Sequence, residues 1–184
     1  MEPENAEIAR RLRRRDPAVL EQLIEQYQHR LMRFLLYFTR DRHMAEDIFQ
    51  ETWLRVLERG RQYEPRYPFP AWLLTLARNL AIDRLRQRHP ASLDESLEVG
   101  REPAEPAATH APFDRVAQRE DQEQLAQALD GMPAYYREAL TLRFYEQMSL
   151  EEMARVSNVP LSTVKSRLRR ALGQLQRRME SLRT

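Results

Sequence analysis

His43, Glu46 and Asp47 fall within one helical turn, and a histidine beside two carboxylates is the feature of this chain that most suggests bond-making chemistry. A carboxylate-bridged metal pair in a helical bundle needs two Glu-x-x-His units and further glutamates from facing helices. The chain has no such unit, and His29, His89 and His110 are scattered. No HExxH, GxSxG or Ser-His-Asp spacing points to hydrolysis. With no cysteine, disulfides, thiolate catalysis and cysteine-ligated zinc are excluded. Four glycines against 11 prolines, with no GxxxxGK or GxGxxG string, leave no loop suited to cradling a phosphate. The expectation is a protein that is not an enzyme, holds neither metal nor cofactor and takes no small-molecule substrate.

What remains is the chemistry of recognition, and three segments carry it. Near the C-terminus, Val164, Leu168, Ala171, Leu172 and Leu175 fall on one side of a helix wheel. The other side carries Ser162, Ser166, Arg169 and Arg170, with Thr163 at the start and Lys165 and Arg167 on the flanks. Small hydroxyl residues between arginines allow close approach to base edges, and the flanking cations reach phosphates on either wall of a major groove. A second segment, residues 69–86, has a broad apolar arc of Leu73, Leu76, Ala77, Leu80, Ala81 and Leu85. Opposite lie Trp72, Thr75, Arg78, Asn79, Asp83 and Arg86. An indole among arginines and asparagine suits unpaired bases, because the ring stacks and the cations follow the backbone. Just upstream, Arg61, Tyr63, Arg66, Tyr67 and Phe69 sit on a proline-stiffened loop. A third segment sets Asp47, Gln50, Glu51, Leu54 and Glu58 opposite a core face. Leucine ringed by carboxylates suits docking on a basic protein partner.

The elements that position these residues are helical throughout. Apolar residues recur at helical spacing from Val19 to Phe38, from Ala45 to Val56 and from Leu73 to Leu85, and strand alternation is nearly absent. Asp16 before Pro17 is an N-cap with proline at the first helical position, Asp41 caps the second helix, and Pro68 and Pro70 delimit the third. After residue 112, shorter helices are expected at about 114–130, 133–146, 149–157 and 162–180. Gly131 and Pro133 separate the first pair, Ser149 with Glu152 forms a capping box, and Asn158 with Pro160 marks a turn before a start at Ser162 or Thr163. Two short helices joined by about four residues, the second basic, match a helix-turn-helix.

Between the helical blocks, residues 90–112 carry four prolines and no sustained apolar period, so they read as a flexible tether. The net charge of +2 conceals a division of +4 over residues 1–92, −6 over 93–124 and +4 over 125–184. Basic blocks at both ends are compatible with nucleic acid. No run approaches the roughly 18 apolar residues of a membrane span, and no secretory h-region opens the chain, so the expected location is cytoplasmic. The fold class is therefore all-α, with two small helical domains, 1–89 and 113–184, joined by an acidic linker at 90–112.

These segments resemble the bacterial extracytoplasmic-function sigma factors, the two-domain members of the sigma-70 superfamily. AEDIFQETWLRVL (45–57) is similar to the family's core-polymerase-binding helix, FPAWLLTLARNLAIDRLR (69–86) to its minus 10 helix, and residues 132–172 to its minus 35 region. The resemblance implies that Asp47, Gln50, Glu51 and Leu54 dock on the clamp helices of the polymerase β′ subunit, with the β flap as a further contact. It implies that Arg61, Tyr63, Arg66, Tyr67, Phe69, Trp72, Arg78, Asn79 and Arg86 handle minus 10 promoter DNA, the loop capturing a flipped base. Ser162, Thr163, Lys165, Ser166, Arg167, Arg169 and Arg170 would serve the minus 35 groove. Asn158 and Ser162 stand where the family often has glycine; asparagine tolerates a left-handed turn and serine can cap. No fused sensor domain is expected after Thr184, so a separate anti-sigma factor is the implied regulator. A stand-alone helix-turn-helix regulator would leave the first block unexplained, and an adaptor using the 47–54 stripe alone would leave the basic helix without a task.

Overall fold

Two aspartates begin helices in the way their chemistry requires. In this computed structural model, which describes residues 3–88 and 127–182, the Asp16 carboxylate accepts from the Ala18 N–H at 3.0 Å and opens α2 (Pro17–Thr39). The Asp41 carboxylate accepts from the Met44 N–H at 3.0 Å and opens α3 (Arg42–Arg59). Each bond satisfies a donor that a helix start otherwise leaves without a partner. Among the described residues every regular element is helical, and they gather into two compact units.

The N-terminal unit packs α2, α3 and α4 (Phe69–Arg88) against one another around Leu31, Phe34, Phe38, Ile48, Val56, Leu73 and Ala77, all at most 2% exposed. One helix was not foreseen. Residues Pro3–Arg13 form α1, which buries Ile8, Ala9 and Leu12. These three buried residues stand among charged ones and give too short a period to signal a helix. A single 3-10 turn at Gly60–Gln62 follows α3, and α1 packs on it. A Cβ on Gly60 would stand 3.2 Å from Leu12 Cβ, so glycine there permits the close approach.

The C-terminal helices are α5 (Ala134–Leu140), a π-helical turn at Thr141–Tyr145, α6 (Leu150–Ser157) and α7 (Leu161–Leu182). The expected tether at 90–112 and most of the expected helix 114–130 lie outside the described residues; residues 127–130 are helical. The capping box forms, with the Ser149 N–H donating to Glu152 Oε2 at 2.8 Å and the Glu152 N–H to Ser149 Oγ at 3.2 Å. Asn158 takes the left-handed conformation, φ 52°, in the turn between α6 and α7. The last helix begins at Leu161, earlier than Ser162, because the Pro160 carbonyl accepts from the Thr163 and Val164 amides. Arg178 near its far end donates to the Gly131 carbonyl at 2.6 Å, and any Cβ at residue 131 would collide with that guanidinium.

Candidate nucleic-acid interface and docking groove

On α3 the solvent side gathers Asp47, Gln50, Glu51 and Leu54 into one open groove completed by Arg55, Glu58 and Arg84. Leu54 is 59% exposed at its centre. The groove is less acidic than the sequence suggested. Glu51 accepts from Arg55 at 3.3 Å and from Arg84, on α4, at 3.1 Å. Partial burial pushes the Glu51 carboxyl up, but the ion pairs with Arg84 and Arg55 outweigh it and hold the group below its ordinary range. Sequence reading missed Arg84, which reaches the groove only because α4 packs on α3. Leu57, three residues after Leu54, is also 54% exposed but does not line the groove.

The loop from Gly60 to Pro68 is closed from inside. Tyr63 is 1% exposed, and its hydroxyl donates to the Tyr67 carbonyl at 2.7 Å. Its ring meets Phe69 edge-on with centroids 5.4 Å apart, and Tyr27 packs on Phe69 at 5.3 Å. Tyr63 and Phe69 are thus corrected from surfaces offered to a base to anchors of the loop, because the aromatic core of this unit claims both rings. Trp72 rests on these two rings at 5.3 and 5.8 Å and stays partly exposed. Arg66 lies over the Tyr67 ring at 4.7 Å and pairs with Glu64 at 2.6 Å. Arg61, Arg66, Asn79 and Arg86 are exposed, and Tyr67 is half-buried.

Arg78 needs a second correction. Its side chain is buried at 8% exposure, in line with Leu74, Ala81 and Ile82. The core stripe of α4 lies one position round from the expected arc, with Leu74, Arg78 and Ile82 buried and Leu76, Leu80 and Leu85 only partly so. An arginine stem is apolar enough to occupy such a stripe. Trp72, Asn79 and Arg86 keep to the opposite side.

On α7, Ser162, Lys165 and Arg169 are exposed at spacings of three and four, forming one line along the helix. Thr163, Ser166 and Arg170 are half-buried beside it, and the Ser166 hydroxyl donates to the Thr163 carbonyl at 3.0 Å. Arg167 departs from expectation. It is 9% exposed and its guanidinium lies 5.4 Å from the centre of the Tyr135 ring. The wheel placed it on a flank, but the α5 ring beneath that flank attracts the cation and covers its stem. Burial and the neighbouring Tyr136 push the Tyr135 hydroxyl up, so the ring under Arg167 remains neutral.

Residues 23–90 match the family model for Sigma-70 region 2, and residues 122–175 match that for Sigma-70, region 4. The ECF RNA polymerase sigma factor SigX of Bacillus subtilis is 31% identical over 167 residues, covering 88% of this chain and 84% of that protein. SigM of the same organism is 31% identical over 158 residues, covering 85% and 93% respectively. The sigma factor RpoE, solved with the anti-sigma factor NepR from Bartonella quintana, superimposes with a TM-score of 0.67 at 25% identity, over 87% of this chain and 96% of that one. CnrH, solved with the cytosolic domain of CnrY, shares the fold with a TM-score of 0.65 at 20% identity, over 95% and 96%.

Proposed function

The chain belongs to the ECF RNA polymerase sigma factors, and on that premise we propose how its three surfaces divide the work of transcription initiation. As a sigma factor it binds bacterial core RNA polymerase and directs the enzyme to promoter DNA. The groove of Asp47, Gln50, Glu51 and Leu54 docks on the β′ clamp helices. Leu54 supplies the apolar contact, while Arg55 and Arg84 hold Glu51 in place for a basic partner residue. The C-terminal unit rests on the β flap with Ser162, Lys165 and Arg169 in the minus 35 major groove. Arg170, Thr163 and Ser166 line the edges of that contact, and Arg167 keeps the helix seated on α5.

At the minus 10 element, Arg61, Arg66 and Arg86 follow the phosphates of the opened strand. Trp72 and Tyr67 offer ring surface, and Asn79 offers hydrogen bonds. Tyr63 and Phe69 hold the loop from below. An extruded base recovers its lost stacking against Trp72 and Tyr67, so melting is driven by binding energy and the chain makes or breaks no bond. The site of action is the cytoplasm, beside polymerase. A separate anti-sigma protein regulates access, a reading supported by the RpoE and NepR complex. Residues 1–89 and 113–184 are the functional domains, and 90–112 is the tether.

The observation that carries this reading is the succession, along one chain, of an exposed leucine groove, a ring-and-arginine loop and a basic helix that follows a capped short one. Run-off transcription with bacterial core enzyme on pooled genomic fragments tests it. The expected result is discrete 5′ ends sharing sequence at two fixed upstream positions. Transcripts independent of the chain, or DNA binding that is equally tight without core, would favour a stand-alone operator-binding protein.

A further inference from the structure

Five of the six residues from Arg10 to Arg15 are arginine, and they do not behave alike. Arg10 pairs with Glu7 at 2.9 Å, and Arg11 with Asp16 at 2.7 Å and the Gln22 amide oxygen at 2.7 Å. Arg13, Arg14 and Arg15 are exposed, and their side chains have no ion-pair or hydrogen-bond partner among the described residues. Glu7 and Asp16, the acids that flank the run in the sequence, are engaged with Arg10 and Arg11. The helix dipole acts within the last turn, which already holds Arg10, Arg11 and Arg13, so it does not account for Arg14 and Arg15 beyond the helix end.

Placement gives the cluster a direction. Leu12 packs directly on Gly60, so the chain leaves one contact as Arg13 on α1 and as Arg61 on the minus 10 loop. At the other end of α1, the Asn5 side-chain oxygen accepts from the Phe69 N–H at 3.3 Å, at the start of α4. The helix therefore spans the loop from its last residue to its first, and its arginine end lies beside the loop's basic beginning. Backbone geometry adds an independent sign. Arg15 closes α1 in the left-handed conformation, φ 55°, its N–H bonding Leu12 O while the Asp16 N–H bonds Arg11 O. Glycine is the unstrained residue at that position, yet a charged side chain stands there.

We infer that Arg13, Arg14 and Arg15 form a phosphate-contact site that extends the path of promoter DNA beyond the minus 10 loop. The ligand is the sugar-phosphate backbone, read without base preference. This rests on the sigma-factor reading, and the test separates the two. Holoenzyme is assembled from core polymerase and either the unsubstituted chain or the variant Arg13→Gln, Arg14→Gln, Arg15→Gly. Affinity is measured from about 50 to 200 mM salt on a promoter mapped from the holoenzyme's own transcripts, once as full duplex and once pre-opened across the minus 10 element.

Each lost contact lowers the slope of log affinity against log salt by about 0.9 on duplex or about 0.7 on single strand. Three contacts change it by about 2 to 3, so across that salt range the unsubstituted holoenzyme loses about 20- to 40-fold more affinity than the variant. A change confined to the duplex probe places the contact on double-stranded backbone, and one that persists at the lower value on the opened probe places it on the freed strand. The glycine should leave the melting temperature of the free variant equal or higher. Equal slopes overturn the inference. So does a tenfold loss of core affinity, which would make the cluster a polymerase contact, or a lower melting temperature, which would make it structural. If the unsubstituted chain confers no promoter affinity on core, the sigma reading itself fails and the inference falls with it.

Discussion

Replacing Leu54 by alanine separates docking from folding, because the leucine has little to lose in the free chain. The side chain is 59% exposed at the centre of the α3 groove. Full burial of a leucine stabilises by about 1.5–3 kcal/mol, so covering the exposed share on docking contributes roughly 1–2 kcal/mol. Alanine keeps one carbon of that contact, and the expected loss is about 0.7–1.5 kcal/mol, or a rise in Kd for core polymerase of about 3- to 10-fold. The free chain should change by no more than about 0.5 kcal/mol, as exposed substitutions do. Leu57→Ala is the internal comparison, since Leu57 is 54% exposed but does not line the groove. Titration of labelled chain with core, beside urea unfolding of each variant, measures both quantities. An unchanged Kd for Leu54→Ala refutes the assignment. An equal loss for Leu57→Ala would show that general surface apolarity, rather than the groove, carries the contact.

Two further outcomes concern α7. Arg169→Ala should leave unfolding unchanged while reducing discrimination at one minus 35 base pair by about 1–3 kcal/mol. Arg167→Ala should instead cost about 1–2 kcal/mol of stability through loss of the Tyr135 contact and its stem packing, with discrimination preserved in whatever remains folded. Competition binding on a set of minus 35 variants, with chemical unfolding alongside, distinguishes them. The Asp41 carboxyl is lowered first by the Met44 N–H and then by Arg88. A depressed folded-state value gives stability that is complete above the ordinary carboxylate range and lost as pH falls through the depressed one. Asp41→Asn should therefore lower stability near neutrality and flatten its decline below about pH 4, read from urea unfolding across pH.

Local chemistry was legible in the sequence wherever one residue acts on its own neighbours. The caps at Asp16 and Asp41, the Ser149 and Glu152 box and the left-handed Asn158 all lie where side-chain chemistry puts them, since each partner is within three residues. Apolar spacing likewise located α2, α3 and the packed side of α7. Arg78 and Arg167 were misplaced because a wheel classes arginine by its charge, whereas burial is decided by its three methylenes and by what stands beneath them. Tyr63 and Phe69 were misplaced because a loop has no period to reveal which side is covered. The bridge from Arg84 to Glu51 joins residues 33 apart and depends on the packing of two helices, which no local pattern encodes.

The bond between Arg178 and the Gly131 carbonyl gives α7 the mechanics of a lever. Thirteen residues separate Lys165 from Arg178, about 20 Å of rigid helix. A tilt of about 5° at the clamp would swing the DNA-facing end by nearly 2 Å, about four times the tolerance of a hydrogen bond to a base edge. On the minus 35 reading proposed above, selectivity at that element would depend in part on a contact where no DNA arrives. A methyl group added at Gly131 would dislodge the guanidinium and blur the aim of side chains it never touches.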